Sequence, residues 1–202
     1  MIKVKYIQHR QIDSAIKLIE RFIKINKLDI KLTINLDCVY NNYIGYVYDN
    51  DTNNIYLNLL NIDTNCKFQF DHPTARGIEN VLLHEFSHIL DYKFDLIEKY
   101  KAFCKRSRRF NISFYTKETK CIREEFAELF ASYICNPFLI KTIDNDRYVF
   151  LNKLFKSPIY RHQNAFEKYW NNWNEQTKYE CKHRYGLYIK DNIIYSTETN
   201  LY

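Results

Sequence analysis

The chain has 202 residues, of which 46% are hydrophobic and 27% charged, and a formal net charge of +6. That balance excludes a disordered or fibrous chain and leaves enough residues to bury one core. No stretch approaches about 18 consecutive apolar residues, so no transmembrane helix is expected, and the opening MIKVKYIQHRQID lacks the apolar run of a secretory signal.

Glycine and proline number three each, which favours long regular elements over a loop-rich architecture. The six cysteines (38, 66, 104, 121, 135 and 181) form no CxxC pair, so neither a zinc knuckle nor a compact disulfide scaffold is expected. Free thiols in a reducing compartment, and hence a cytoplasmic protein, are the favoured reading. Secretion or delivery into a host cell is the alternative.

Ile2–Ile7 reads as a short strand. From Gln11 to Lys27 the apolar positions Ile12, Ala15, Ile16, Leu18, Ile19, Phe22 and Ile23 have helical spacing and predict an amphipathic helix. Ile30–Leu36 alternates apolar and polar residues as a strand does, and Ile44–Tyr48 and Ile55–Leu60 follow as two more, separated by polar turns. Ile55–Leu60 is the candidate for an exposed edge strand. Asp63–Arg76 has little periodicity and is expected to be a loop or lid, with His72 a solvated loop histidine.

The run Val81–Tyr92, VLLHEFSHILDY, is a helix that is apolar nearly all round and holds one HExxH. His84 and His88 are four apart and share a helix face, so both rings can reach one tetrahedral ion. Glu85 lies next to them, where its carboxylate can act as general base on a water. Burial of the helix would bury this glutamate too, and a buried carboxylate needs a partner. A zinc ion supplies one for the whole group.

Lys99–Arg123 carries nine basic residues against Glu118 alone, a local charge of +8, so the remainder of the chain is slightly acidic. A solvated helix end and loop is the ordinary reading of such a run. Docking to an acidic partner is the functional one. No recognition helix, finger or RNA-binding signature favours nucleic acid.

Cys121–Cys135, CIREEFAELFASYIC, is a second helix with an apolar stripe, ended by Pro137. Glu124 and Glu128 are four apart on one face, and a helix packed on the HExxH helix can bring one of them to the ion. The extended pattern HExxHxxGxxH is not met, because Asp91 and Phe94 stand at the glycine and last-histidine positions. Asp91 is instead expected to orient a histidine ring or fix the helix pair. Asn145–Phe155 and His162–Tyr179 read as further helices, with Trp170 and Trp173 as packing anchors. Tyr185–Ile189 and Asn192–Tyr195 read as a closing hairpin.

HEFSH followed by EEFAELFASYICNP resembles the gluzincin zinc peptidases in two flavours. Glu124, Ala127, Phe130–Ala131 and Pro137, with GYVYDNDTNNIYLNL upstream, look like the ImmA/IrrE-like peptidases. Glu124, Phe126, Ala127 and Glu128 look like the anthrax lethal factor and Pro-Pro endopeptidase group. The resemblance spans Gly45 to Pro137 at most and implies Zn²⁺ held by His84, His88 and Glu124, with Glu85 as base. The lethal factor-like group also carries a tyrosine seven residues before the glutamate ligand. Here that residue is Lys117, and Tyr115, nine residues back, is the candidate for stabilising the oxyanion.

The expectation is therefore an α+β, zincin-like fold in one domain, residues 1–202. Residues 1–93 would give a small mixed sheet and the HExxH helix. Residues 94–202 would give a mainly helical part with the third ligand. The expected activity is zinc-dependent hydrolysis of peptide bonds in a selective protein or peptide substrate. The rival is a non-catalytic module of the same fold that uses the basic 99–123 stretch to bind an acidic partner or nucleic acid.

Overall fold

A computed structural model of the chain describes residues 2–5, 10–37, 44–49, 51–58, 78–105, 116, 119–135, 137, 140–141, 144–156, 187–190 and 193–196. Strand β1 (Ile2–Lys5) leads into helix α1 (Arg10–Ile25), then β2 (Leu32–Asp37), β3 (Gly45–Tyr46) and β4 (Asn54–Asn58). Four helices follow: α2 (Ile78–Phe94), α3 (Leu96–Cys104), α4 (Ile122–Cys135) and α5 (Asn145–Leu154). The hairpin β5 (Leu187–Lys190) and β6 (Ile193–Ser196) overlaps the expected one, with each strand ending one residue later than expected. The loop 63–76 with His72, Tyr115, and the span 162–179 with both tryptophans lie outside the described residues.

The first four strands make one mixed sheet in the order β1-β2-β4-β3. β1, β2 and β4 run parallel, with α1 as the helix that returns the chain from β1 to β2. β3 is antiparallel to β4, with Gly45 opposite Leu57 and Tyr46 opposite Tyr56. This corrects the edge expected from the sequence. β4 is paired on both sides, by β2 and by β3, and the edge is the two-residue β3. Alternation in IYLNLL marks a strand but is silent on how many neighbours it has.

Leu32, Ile34, Ile55 and Leu57 on one face of the sheet are fully buried in the same core as α1, α2 and α4. α2 touches α1, α3, α4, β3 and β4, and every residue from Leu82 to Asp91 is buried. That is what a helix apolar nearly all round requires. The ring of Phe22 on α1 is the common contact: it meets Phe86 of α2 at 5.9 Å, Phe130 of α4 at 5.3 Å and Phe155 at 5.3 Å. The end of α1 is tied to the far end of α5 as well. The Asn26 amide donates to the Lys156 carbonyl at 3.0 Å and accepts from the Lys156 N–H at 2.7 Å. The result is the α+β, zincin-like arrangement: a small mixed sheet on the HExxH helix, followed by a largely helical part.

Helix α3 is a correction of detail, since no separate helix is expected from the sequence at the start of the basic stretch. Asp95 takes a left-handed conformation, φ 52°, and divides α3 from α2. Asp91, one turn earlier, accepts from the Ile97 N–H at 2.8 Å and so supplies an acceptor for the open first turn of α3. Its other oxygen meets Arg123 Nε of α4 at 3.1 Å. Asp91 therefore fixes the helices, one of its two expected roles, and does not orient a histidine. Among the described residues no helix is long and apolar enough to cross a membrane.

Because Phe22 is shared by three packing partners, Phe22→Ala is expected to cost about 3–5 kcal/mol. Urea unfolding should show a lower midpoint with an unchanged slope.

Candidate metal centre

His84 and His88 project from one face of α2, and Glu124 meets them from the first turn of α4. His84 Nε2 lies 3.2 Å from His88 Nε2 and 3.1 Å from Glu124 Oε2, and His88 Nε2 lies 3.6 Å from Glu124 Oε1. One donor atom from each of the three residues fits within 4.8 Å of the others. A tetrahedral zinc ion with bonds of about 2.0–2.1 Å holds its ligand atoms roughly 3.3 Å apart. The observed spacings bracket that value, and two imidazoles with one carboxylate are a donor set that zinc takes.

The tautomer of His84 follows from what lies behind it. Its Nδ1 is 2.9 Å from Glu128 Oε1, and a carboxylate can only accept there. Nδ1 therefore carries the proton and donates it to Glu128, which leaves Nε2 with its lone pair turned toward His88 and Glu124. Three acceptors facing one another in a core are unfavourable unless a cation stands between them. Glu85, Glu124 and Glu128 together bring three carboxylates to two imidazoles, so a dication removes most of the local charge.

Protonation in the chain alone shows the same demand for positive charge. Burial pulls the His84 pKa down, but hydrogen bonds to Glu124 and Glu128 outweigh it and hold the pKa well above the usual value. His88 is driven down to about 4 by burial and by the charge on His84. One imidazole takes a proton and the other is kept neutral. Glu85 is raised to about 7, first by burial and then by the nearby carboxylates Glu124 and Glu128, against the opposing effect of His84.

The three residues that the sequence put forward as ligands, His84, His88 and Glu124, are thus brought together, with Glu85 beside them at 7% exposure. Tyr115 lies outside the described residues. The sequence assigns Glu128 no task behind His84 and offers Asp91 either for histidine orientation or for fixing the helix pair. The signal was present in the four-residue step from Glu124 to Glu128, which repeats the step from His84 to His88.

Comparison with protein-family models, with curated proteins and with solved structures finds no match for this chain. The geometry carries the reading by itself. Within it, α4 is held from its other side. Glu125 Oε1 accepts from Tyr100 Oη and from Arg147 Nη2, both at 2.6 Å, and Arg147 is fully buried. Adjacent glutamates thus serve opposite faces: Glu124 the histidine pair, Glu125 the anchor to α3 and α5. At the far end of the histidine face, Tyr92 donates to Asp49 of the β3–β4 connection, and Arg123 lies over its ring at 5.0 Å.

Removing the acceptor behind His84 frees its ring to turn and to change tautomer. Glu128→Ala is expected to weaken zinc binding about 10- to 100-fold, read by competition with a chromogenic chelator. An unchanged affinity would exclude Glu128 from this role.

Proposed function

We propose that the 202 residues form one zinc-dependent endopeptidase domain, in which His84, His88 and Glu124 hold the ion and Glu85 is the general base. The observation that carries this reading is the division of labour among the carboxylates. Glu128 is engaged behind His84, and Asp91 is engaged with α3 and Arg123. Among the described residues the cluster has three donors, with a further carboxylate alongside. Structural zinc sites close with four protein ligands, whereas catalytic ones keep a position for water or substrate.

A zinc ion bound there supplies Lewis acidity, which lowers the pKa of a water and polarises a peptide carbonyl. The chain's own residues supply the rest. Glu85 accepts a proton from the attacking water and delivers it to the departing amine. Burial and neighbouring carboxylates put its carboxyl near neutrality, which suits a group that must both take and give a proton. Glu128 keeps the proton of His84 on Nδ1, so that Nε2 is available as a ligand. Strand β3 stands at one edge of the sheet and lies over Glu85, the place for an extended peptide to add to the sheet. Tyr115 is the candidate for a hydrogen bond to the oxyanion.

The basic stretch 99–123 favours acidic residues in the substrate or in a docking partner. Among the described residues three of its cations are already engaged within the chain, Lys99 with the Phe94 carbonyl, Lys101 with Glu98 and Arg123 with Asp91. Selectivity of this kind therefore rests on the rest of the stretch.

Glu85→Gln keeps the size of the side chain and removes the base. Peptide-library turnover is expected to fall about 10²- to 10⁴-fold, while zinc stoichiometry stays at one per chain. A zinc-loaded wild-type chain that cleaves nothing across a broad library would favour the docking module instead. A folded wild-type chain that binds no zinc would remove the peptidase reading and any zinc-holding form of the docking module.

A further inference from the structure

Glu85 is buried, yet none of the hydrogen bonds described for the chain reaches its carboxylate. The sheet residue packed against it is Gly45. A methyl group at position 45 would stand 2.7 Å from Val81 Cγ1 and 3.0 Å from both Cγ and Oε1 of Glu85. The first distance is one that real Cβ atoms essentially never show and the other two are tighter than most, so a methyl group at position 45 fits only if Val81 or Glu85 shifts. The backbone of Gly45 is an ordinary strand backbone. The residue is needed for space and not for conformation.

The geometry points to Gly45 as a positioning residue, whose bare backbone forms the wall that sets the place of the Glu85 carboxylate beside His84, His88 and Glu124. This rests on the peptidase reading above and adds to it a residue on the sheet that controls the base on the helix.

The surroundings decide which group gives way when that wall thickens. Gly45 is registered opposite Leu57, and the adjacent Ile44 carbonyl accepts from the Asn58 N–H at 2.8 Å, so β3 is held by the sheet. Val81 is β-branched and on a helix, with one strongly preferred rotamer, so it does not swing aside easily. Glu85 has three side-chain torsions and lies with its carboxylate end at the contact. It moves first. Val81 and Glu85 are one turn apart on α2, so the strand presses on a single ridge of the helix.

The test is Gly45→Ala in the zinc-loaded full chain, with Val81→Ala and the double variant as controls. The expected result is a kcat lower by about 100-fold, the penalty for displacing a catalytic group by roughly 1 Å. KM should stay within about twofold and zinc content at one per chain. Val81→Ala in the Gly45→Ala background relieves the stiff contact and is expected to restore the melting temperature but not kcat. Recovery of both would overturn the proposal, because the defect would then lie in helix–strand spacing alone. A crystal structure of zinc-loaded Gly45→Ala gives a readout that needs no turnover. The Glu85 carboxylate is expected to leave its wild-type place while His84, His88 and Glu124 keep theirs. An unmoved Glu85 would overturn the proposal. If the wild-type chain cleaves no peptide, the peptidase reading fails, and the crystal structure still decides the part played by Gly45.

Discussion

Three lone-pair donors meeting inside an apolar core set the terms for the rest of this molecule. His84, His88 and Glu124 approach within van der Waals distance of one another, and two further carboxylates stand close by. In water each group would be solvated. In the core, the arrangement is tolerable only with a cation and with a frame stiff enough to resist its own repulsion. The frame here is apolar. α2 is buried along its middle, and Phe86, Phe130 and Phe155 close around Phe22.

Helix α4 has to deliver Glu124 from another part of the chain, and its rotation about its own axis decides whether that carboxylate arrives. Two polar contacts on different faces restrict that rotation. Glu128 meets His84 on the face toward α2, and Glu125 meets Arg147 and Tyr100 on the face toward α5 and α3. The Glu125–Arg147 pair is largely buried, and each member has a second partner, Tyr100 for Glu125 and Asp144 for Arg147. Asp91 and Arg123 add a third tie between α2 and α4, one turn beyond His88. The metal-binding geometry is therefore distributed over four helices, although only two carry its ligands.

The sheet contributes by closeness. β3 is two residues long and forms the edge, and the absence of a side chain at Gly45 lets that edge rest on the ridge of α2 that carries Val81 and Glu85. A strand added to this edge would lie beside Glu85 with no side chain intervening at position 45. The same closeness makes the site sensitive to one methyl group on the sheet side.

The sequence by itself determined the elements with strong periodicity and the identity of the donor set. The apolar stripe of α1, the continuous apolar surface of α2 and the glutamate step on α4 are local patterns, and each fixes which face of its own helix carries what. HExxH fixes two imidazoles and a carboxylate on one helix, because four residues make about one turn. Local pattern is silent on partners across space. It left Asp91 either to orient a histidine or to fix the helix pair, and the contacts with Ile97 and Arg123 select the second, while Glu128 stands behind His84. It placed the edge at Ile55–Leu60, whereas pairing on both sides puts that strand inside the sheet. It gave no weight to Gly45, whose importance lies entirely in what stands opposite. Those choices belong to the tertiary structure, because register, strand order and the rotation of one helix against another are set by contacts between residues far apart in the chain.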